Sequence, residues 1–463
     1  MKLKKSSIAL AVALIGLIGC AEEKTISPFP QVIEPNSGWK GAPTQVEVFG
    51  EGFLLQIKEK LDEEEEAEII GGFTASLASP TLGSYPLLDV TFYNSHKLSA
   101  IVPAELPLGI YDLTVTNPDG KTGTLPKAYK VTAIWYVNDD ADGAGNGTSW
   151  EDAYNVIQDA VDVASSGDLI WVAWGIYKSG TTEPVVTMKD GVEIYGGFEG
   201  VETRLSARVT PADYPSDLLG EGKRLHVVIG ASNARLDGFN VIGGGTEDIN
   251  TDYCGGGMYN SGLTDLTVAN CMFKANIAVL NGGGIYNENS SSVEITNCTF
   301  DDNWAFGNGG GMSNNGVTDL VVDKCNFNRN ASDYPGGGGI FNSNSSPKIT
   351  NCIFDSNQAY IDGGSGGGIY NDSNSSPEIT NCTFSGNKVS DYGGGMYNHS
   401  SAPIVTNCIF SGNSAWMGGG MYSGTNSSPT IINCIISGNW AGQGGGMHNS
   451  HNASPEIRNC TFS

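Results

Sequence analysis

The sequence predicts an all-β chain: a small β-sandwich, then a right-handed parallel β-helix closed at its N-terminal end by a capping helix. Three observations lead there. A cysteine column, Cys271, Cys298, Cys325, Cys352, Cys382, Cys408, Cys434 and Cys460, advances in steps of 27, 27, 27, 30, 26, 26 and 26 residues. A fixed period in the range of about 20–50 residues marks stacked repeats. Each cysteine sits in one phrase: a Gly run, an apolar-aromatic-Asn triplet, a polar turn, then Asn-Cys-x-Phe-x-x-Asn. Upstream, residues 31–132 alternate apolar and polar residues between Pro, Gly and Asn signals, the pattern of short antiparallel strands.

In chain order, the first element is a leader. Lys2, Lys4 and Lys5 precede a short apolar stretch, 6–19, that ends at Leu17-Ile18-Gly19-Cys20. The stretch is too short for a comfortable membrane span. Residues 21–30 read as a tether. In 31–132 the markers are 31–38 (QVIEPNSG), 46–53 (VEVFGEGF), 98–103 (LSAIVP) and 109–120 (GIYDLTVTNPDG). The acidic run Asp62 to Glu66 reads as a solvated insertion. The second domain starts near Trp135 and runs to 463, with regular coils from about 255. Residues 149–165 carry helical spacing, with Ser149 as the expected N-cap. Strands are expected at Leu169–Val172, Val192–Tyr195, Val227–Ile229 and Phe239–Ile242.

One repeat, 282–303, predicts three strands and three corners. Ile285-Tyr286-Asn287, Val293 to Thr296 and Cys298-Thr299-Phe300 are the strands, and Asn303 closes the next corner. Ile295, Cys298 and Phe300 face inward because Asn297 turns the chain between them, and Asn tolerates the left-handed conformation that turn needs. In-register cysteines point the same way, so the column is read as small apolar packing rather than disulfides.

The residues also carry resemblances. Leu17 to Cys20 resembles the lipobox of bacterial lipoproteins, which implies cleavage before Cys20, acylation there, and a lipid-anchored protein of the outer membrane or cell surface. Several acyl chains anchor stably, whereas one alone is marginal. The P-x-S-G, G-x-G-F, V-P and YDLTVTNPDG phrases resemble the IPT/TIG family, which implies an immunoglobulin-like domain acting as spacer or binder. The G-G-G-[IM] and F-x-x-N phrases, with Trp135 to Asn138 and Asn146 to Trp150, resemble polymorphic outer-membrane proteins and pectate-lyase-like β-helices. That resemblance implies cell-surface display and adhesion. The chain stops mid-coil at Thr461-Phe462-Ser463, so the sequence is expected to be incomplete.

The chain has 24 Lys and Arg against 50 Asp and Glu, a net charge of −26. Such a surface repels phosphate backbones and excludes nucleic acid as a partner. No cofactor is implied; calcium is the one ion the acidic loops admit, at Asp140 and Asp142 in a loop that resembles part of an EF-hand. Catalysis has weak footing. Asp333, Asp362 and Asp391 occupy loops of three successive coils, where stacked carboxylates could work as acids or hold calcium, but turn chemistry also explains them. Of the five histidines, His399, His448 and His451 lie in the repeats with no triad partner evident. A binding face is read in the column Tyr259, Tyr286, Phe341, Tyr370, Tyr397 and Tyr422, which period-two alternation places outside. Exposed rings there would stack on a polysaccharide or on a cell-surface protein. The leading reading is therefore non-catalytic display for adhesion or glycan binding. A polysaccharide lyase or hydrolase acting on acidic glycans is the alternative, and a bare structural stalk the third.

Overall fold

The computed structural model describes residues 27–463 apart from 42, 59–67, 209–212, 247–252, 334, 335, 361, 362 and 451. The leader with Cys20, the acidic run 62–66 and Asp362 lie outside the described residues. The chain divides into two compact units at Ile134/Trp135.

In the first unit two sheets face each other. One has the spatial order Phe29–Glu34, Thr44–Glu51, Lys97–Val102, Leu88–Asn94. The other runs Ser37–Trp39, Thr122–Thr132, Gly109–Thr116, Thr74–Ser79, Gly83–Pro86. All pairings are antiparallel except the short one between Ser37–Trp39 and the end of Thr122–Thr132. Alternate residues enter the core: Val46, Val48, Leu98 and Ala100 from the first sheet, Leu77, Leu113 and Val115 from the second. The Asn117 side-chain amide donates to the Gly52 carbonyl at 2.8 Å, tying two turn-forming segments together.

The second unit is a parallel solenoid. Each regular coil contributes to four sheets, here numbered in the order the chain meets them. In one coil these strands are Ser291–Thr296, Thr299–Asp301, Trp304–Ala305 and Met312–Asn315. The sequence predicted three strands; the two-residue strand that forms the third sheet is additional. The corner before it is made by Asp302, at φ 55°. Asn303 lies buried beneath, so the expected corner residue is instead part of the core.

Like residues stack on like because the register is strictly parallel. Phe273, Phe300, Phe327, Phe354, Phe384 and Phe410 are fully buried and stacked, with ring centroids 4.4–5.1 Å apart. The cysteines from Cys271 to Cys434 are buried beside them. The bend asparagines adopt the left-handed conformation, Asn297 at φ 52° and Asn381 at φ 55°, and Lys324 does so at φ 52°. Two further asparagine files run inside. Asn276, Asn303, Asn330, Asn357, Asn387, Asn413 and Asn439 are linked at 2.9–3.0 Å, and Asn260 to Asn398 at 2.8–2.9 Å. Buried amides within each file satisfy one another in this way, and only the end groups Asn260 Oδ1 and Asn398 Nδ2 of the second file lack a partner.

The Gly runs solve two problems. Gly282 needs its φ of 70°, whereas a Cβ at Gly284 would stand 2.4 Å from the Gly311 carbonyl and 2.9 Å from the Phe300 ring.

The helix spans only Ile157–Val163, and Ile157, Ala160 and Val161 enter the solenoid core. It starts later than predicted because Tyr154 pairs in extended form with Val137, exchanging bonds with Tyr136 and Asn138 at 2.9 and 2.8 Å. Ser149 accepts the Asp152 N–H at 3.1 Å, so it closes a turn rather than the helix.

Candidate functional site

The aromatic column proposed from the sequence lies on the fourth sheet and is not an open binding face. Tyr286, Phe341, Tyr370 and Tyr422 are only 4–8 % exposed, and Tyr259 and Tyr397 are half-buried. Alternation does turn these rings away from the Ile and Met core. Stacking at one coil rise then covers their faces. Tyr259 stacks on His226 and Tyr286, Phe341 meets Tyr370 edge-on, and Tyr422 stacks on His448. Tyr392, from the loop after the third sheet, lies against Tyr397 and Tyr422 at 5.9 and 4.7 Å. Burial pushes the Tyr286 hydroxyl up to about 12. A sugar needs a free ring face, and here neighbouring rings occupy the faces.

The suggested calcium loop is also otherwise engaged. The Asn155 side-chain amide donates to the carbonyls of Asn138, Asp139 and Ala141 at 3.0, 3.3 and 2.9 Å, so those oxygens already hold a donor. Asp140 and Asp142 are exposed beside it. No group of three or more His, Cys, Asp or Glu side chains among the described residues is placed to hold a metal ion.

Of the three loop aspartates, Asp362 lies outside the described residues. Asp391 is half-buried, and its backbone pairs with Gly364 and Met417. Asp333 lines an open groove of about 530 Å³ together with Asp302, Trp304, Arg329 and Tyr360. Its carboxylate accepts the Trp304 indole N–H at 3.1 Å. Burial raises the Asp333 pKa from its ordinary value, and that hydrogen bond only partly opposes the rise. Across the corner, Arg329 donates to Asp302 at 2.9 and 3.1 Å and to Asp301 at 2.5 Å. The groove thus sets a carboxyl whose pKa burial raises beside Asp302, which is paired with the Arg329 guanidinium. Arg329, engaged by Asp301 and Asp302, is not a free base for proton abstraction.

The groove opens onto the outer face of the third sheet. Ala305, Ala359, Val389 and Ala415 point inward along that sheet. Their neighbours point out, and they include large rings: Trp304 and Phe306 at 37 % and 36 % exposure, Tyr360 at 58 %, Trp416 at 57 % and Trp440 at 68 %. Trp304 and Phe306 stack with centroids 4.7 Å apart. Sequence reasoning missed this face because the third strand itself was unforeseen. The available signal was an aromatic one or three residues after the buried Asn, as in Asn303-Trp304 and Asn439-Trp440.

The profile of the right-handed β-helix region family matches residues 227–361 and 358–462, which together span half of the chain. The chain belongs to that family. Among curated proteins no sequence match is found. Among solved structures, this β-helix is similar to a double mutant of the tailspike protein of E. coli bacteriophage HK620, at 14 % identity and TM-score 0.36, over 70 % of this chain and 65 % of that one. It thus spans just under two thirds of the tailspike chain. It is also similar to an endo-xylogalacturonan hydrolase from Aspergillus tubingensis, at 10 % identity and TM-score 0.25, over 70 % and 93 %. A third similarity is to the A-module of a mannuronan C-5 epimerase from Azotobacter vinelandii, at 13 % identity and TM-score 0.22, over 71 % and 97 %.

Proposed function

We propose that the protein binds glycans non-catalytically, through the outer face of the third sheet, as a lipid-anchored component of a bacterial cell envelope. The carrying observation is the file of exposed rings, Trp304, Phe306, Tyr360, Trp416 and Trp440, beside a groove of charged side chains. Rings interleaved with hydrogen-bonding groups suit sugars, which present apolar C–H faces and a hydroxyl rim. Protein interfaces, by contrast, are depleted of charge at their centres. The basic leader and Cys20 support anchoring at the envelope, with residues 31–132 as an IPT/TIG-type spacer. No helix among the described residues is long and apolar enough to cross a membrane.

A second reading, hydrolysis, draws on Asp333 and Asp302, two carboxyls in unlike environments around one groove. Glycan-array binding by wild type and by Trp416→Ala tests the main reading. Binding that Trp416→Ala leaves intact removes this face from consideration. Reducing-sugar release from any bound glycan, abolished by Asp333→Asn, would favour the second reading instead.

A further inference from the structure

The rings of the third sheet are spaced as well as exposed. Phe306, Tyr360 and Trp416 occupy equivalent outward positions, each following the inward alanine of its third-sheet strand: the first two just past Trp304–Ala305 and Gln358–Ala359, the last inside Ser414–Met417. The backbone places the first two: Phe306 N–H donates to Ala278 O, Asp333 N–H to Ala305 O, and Tyr360 N–H to Ser332 O, one coil per step. Phe306 and Tyr360 are therefore two coils apart, with Asp333 on the coil between. Tyr360 and Trp416 are again two coils apart, with Ser390 on the intervening coil. Two coils correspond to about 10 Å along the axis, in keeping with the 4.4–5.1 Å steps of the phenylalanine file.

Resting on the glycan-binding reading above, we infer that this face selects neutral, linear β-1,4-linked glycans that lie along the solenoid axis as flat two-fold ribbons. In such a ribbon each residue is flipped relative to the last. The same ring face returns every second residue, at a repeat close to the spacing of the aromatic anchors. Residues one, three and five then stack on Phe306, Tyr360 and Trp416. Residues two and four lie over Asp333 and Ser390, whose polar atoms meet their hydroxyls. An α-1,4-linked chain curves away and does not return the same face at that interval. Charge at the groove acts in the same direction: Asp302 and Asp333 outnumber Arg329 there, which disfavours a uronate over that end, with Lys388 exposed further along the sheet.

Beyond Tyr360 the corner column becomes Gly386, Gly412 and Gly438, in place of the Asp302 and Arg329 side chains. No side chain stands at that corner beside Trp416 and Trp440, so the ribbon can leave the groove and continue over these rings.

The test is calorimetric titration of the full chain with β-1,4-linked cello-, manno- and xylo-oligosaccharides of two to six residues, against maltohexaose and oligogalacturonate. Affinity is expected to rise in steps at three and at five residues, with little gain at four. Tyr360→Ala should weaken the pentasaccharide by about tenfold, the worth of one stacking contact, and erase the steps. Its ring is 58 % exposed, so an unchanged melting temperature will show that the fold is intact. A smooth rise with length, or equal binding of maltohexaose, overturns the ribbon assignment. If binding is indifferent to linkage yet Trp416→Ala abolishes it, the glycan face stands and only the selectivity falls. If no oligosaccharide or array glycan binds, both fall.

Discussion

Replacing Asn357 by alanine should unfold the solenoid at markedly lower urea. The Asn357 amide donates to the Phe327 carbonyl at 2.8 Å and to Asn387 Oδ1 at 3.0 Å. Its Oδ1 accepts from the Asn330 backbone N–H and from Asn330 Nδ2, each at 3.0 Å. The residue is fully buried, so water cannot substitute. Asn330 Nδ2 retains the Phe300 carbonyl and Asn387 Oδ1 retains the Asn357 backbone N–H. Alanine therefore strips the Asn357 partner from two further buried groups, the Asn330 N–H and the Phe327 carbonyl. At about 1–3 kcal/mol for each unsatisfied group, the loss is about 2–6 kcal/mol. Coils are stabilised by their neighbours, so a break in mid-array weakens both flanking interfaces. Urea titration followed by far-ultraviolet circular dichroism measures it as a lower midpoint at a similar slope. The control is Asn381→Gly, in the exposed file. That side chain bonds Asn351 at 3.4 Å and the backbone stands at φ 55°, so glycine should change stability by no more than about 0.5 kcal/mol. A loss below about 1 kcal/mol for Asn357→Ala, or equal losses for the two variants, would refute the reasoning.

Asp237 is 2 % exposed and bonds Arg208 and Arg235, each at 2.7 Å. Burial raises its pKa, but the Arg208 charge and the hydrogen bonds from Asn270, Arg208 and Arg235 outweigh that and hold it below the usual range. This stabilisation is present above the ordinary carboxylate range and is lost as pH falls through the depressed value. Asp237→Asn should cost about 3–5 kcal/mol at pH 7 in urea titrations, with the gap to wild type closing in acid. Phe354→Ala should cost about 3–5 kcal/mol in the same assay, because the stacked rings above and below cannot collapse into the space. Tyr286→Ala and Trp416→Ala should separate stability from binding: the first lowers the melting temperature and leaves glycan binding intact, the second does the reverse. Iodoacetamide should label Cys254 and Cys460, which are half-buried, before any thiol from Cys271 to Cys434; early loss of the Cys352 thiol would contradict the inward file.

Much of the coil was legible because each inward position repeats. Cys298, Phe300 and Ile295 could be assigned to the core from one period, and Asn297 to the bend from its position between two inward residues. The short third strand was not legible: Trp304–Ala305 is two residues long and has no alternation to detect. The helix boundary failed for a related reason, since Tyr154 is drawn into a backbone pairing that its own segment does not announce.

The candidate site divides in the same way. The sequence placed Tyr286 and Tyr370 correctly on the side away from the core, yet wrongly exposed them. It singled out Asp333 without its partners Trp304 and Tyr360. By itself the sequence determined the repeat, the identity of the buried files and the acidic surface, because those follow from residue type and period. Only the tertiary structure decided which outward rings stay uncovered. Exposure depends on what the coils above and below, and the neighbouring loops, place against a ring, and on the parallel register that gathers single aromatics from distant repeats onto one face.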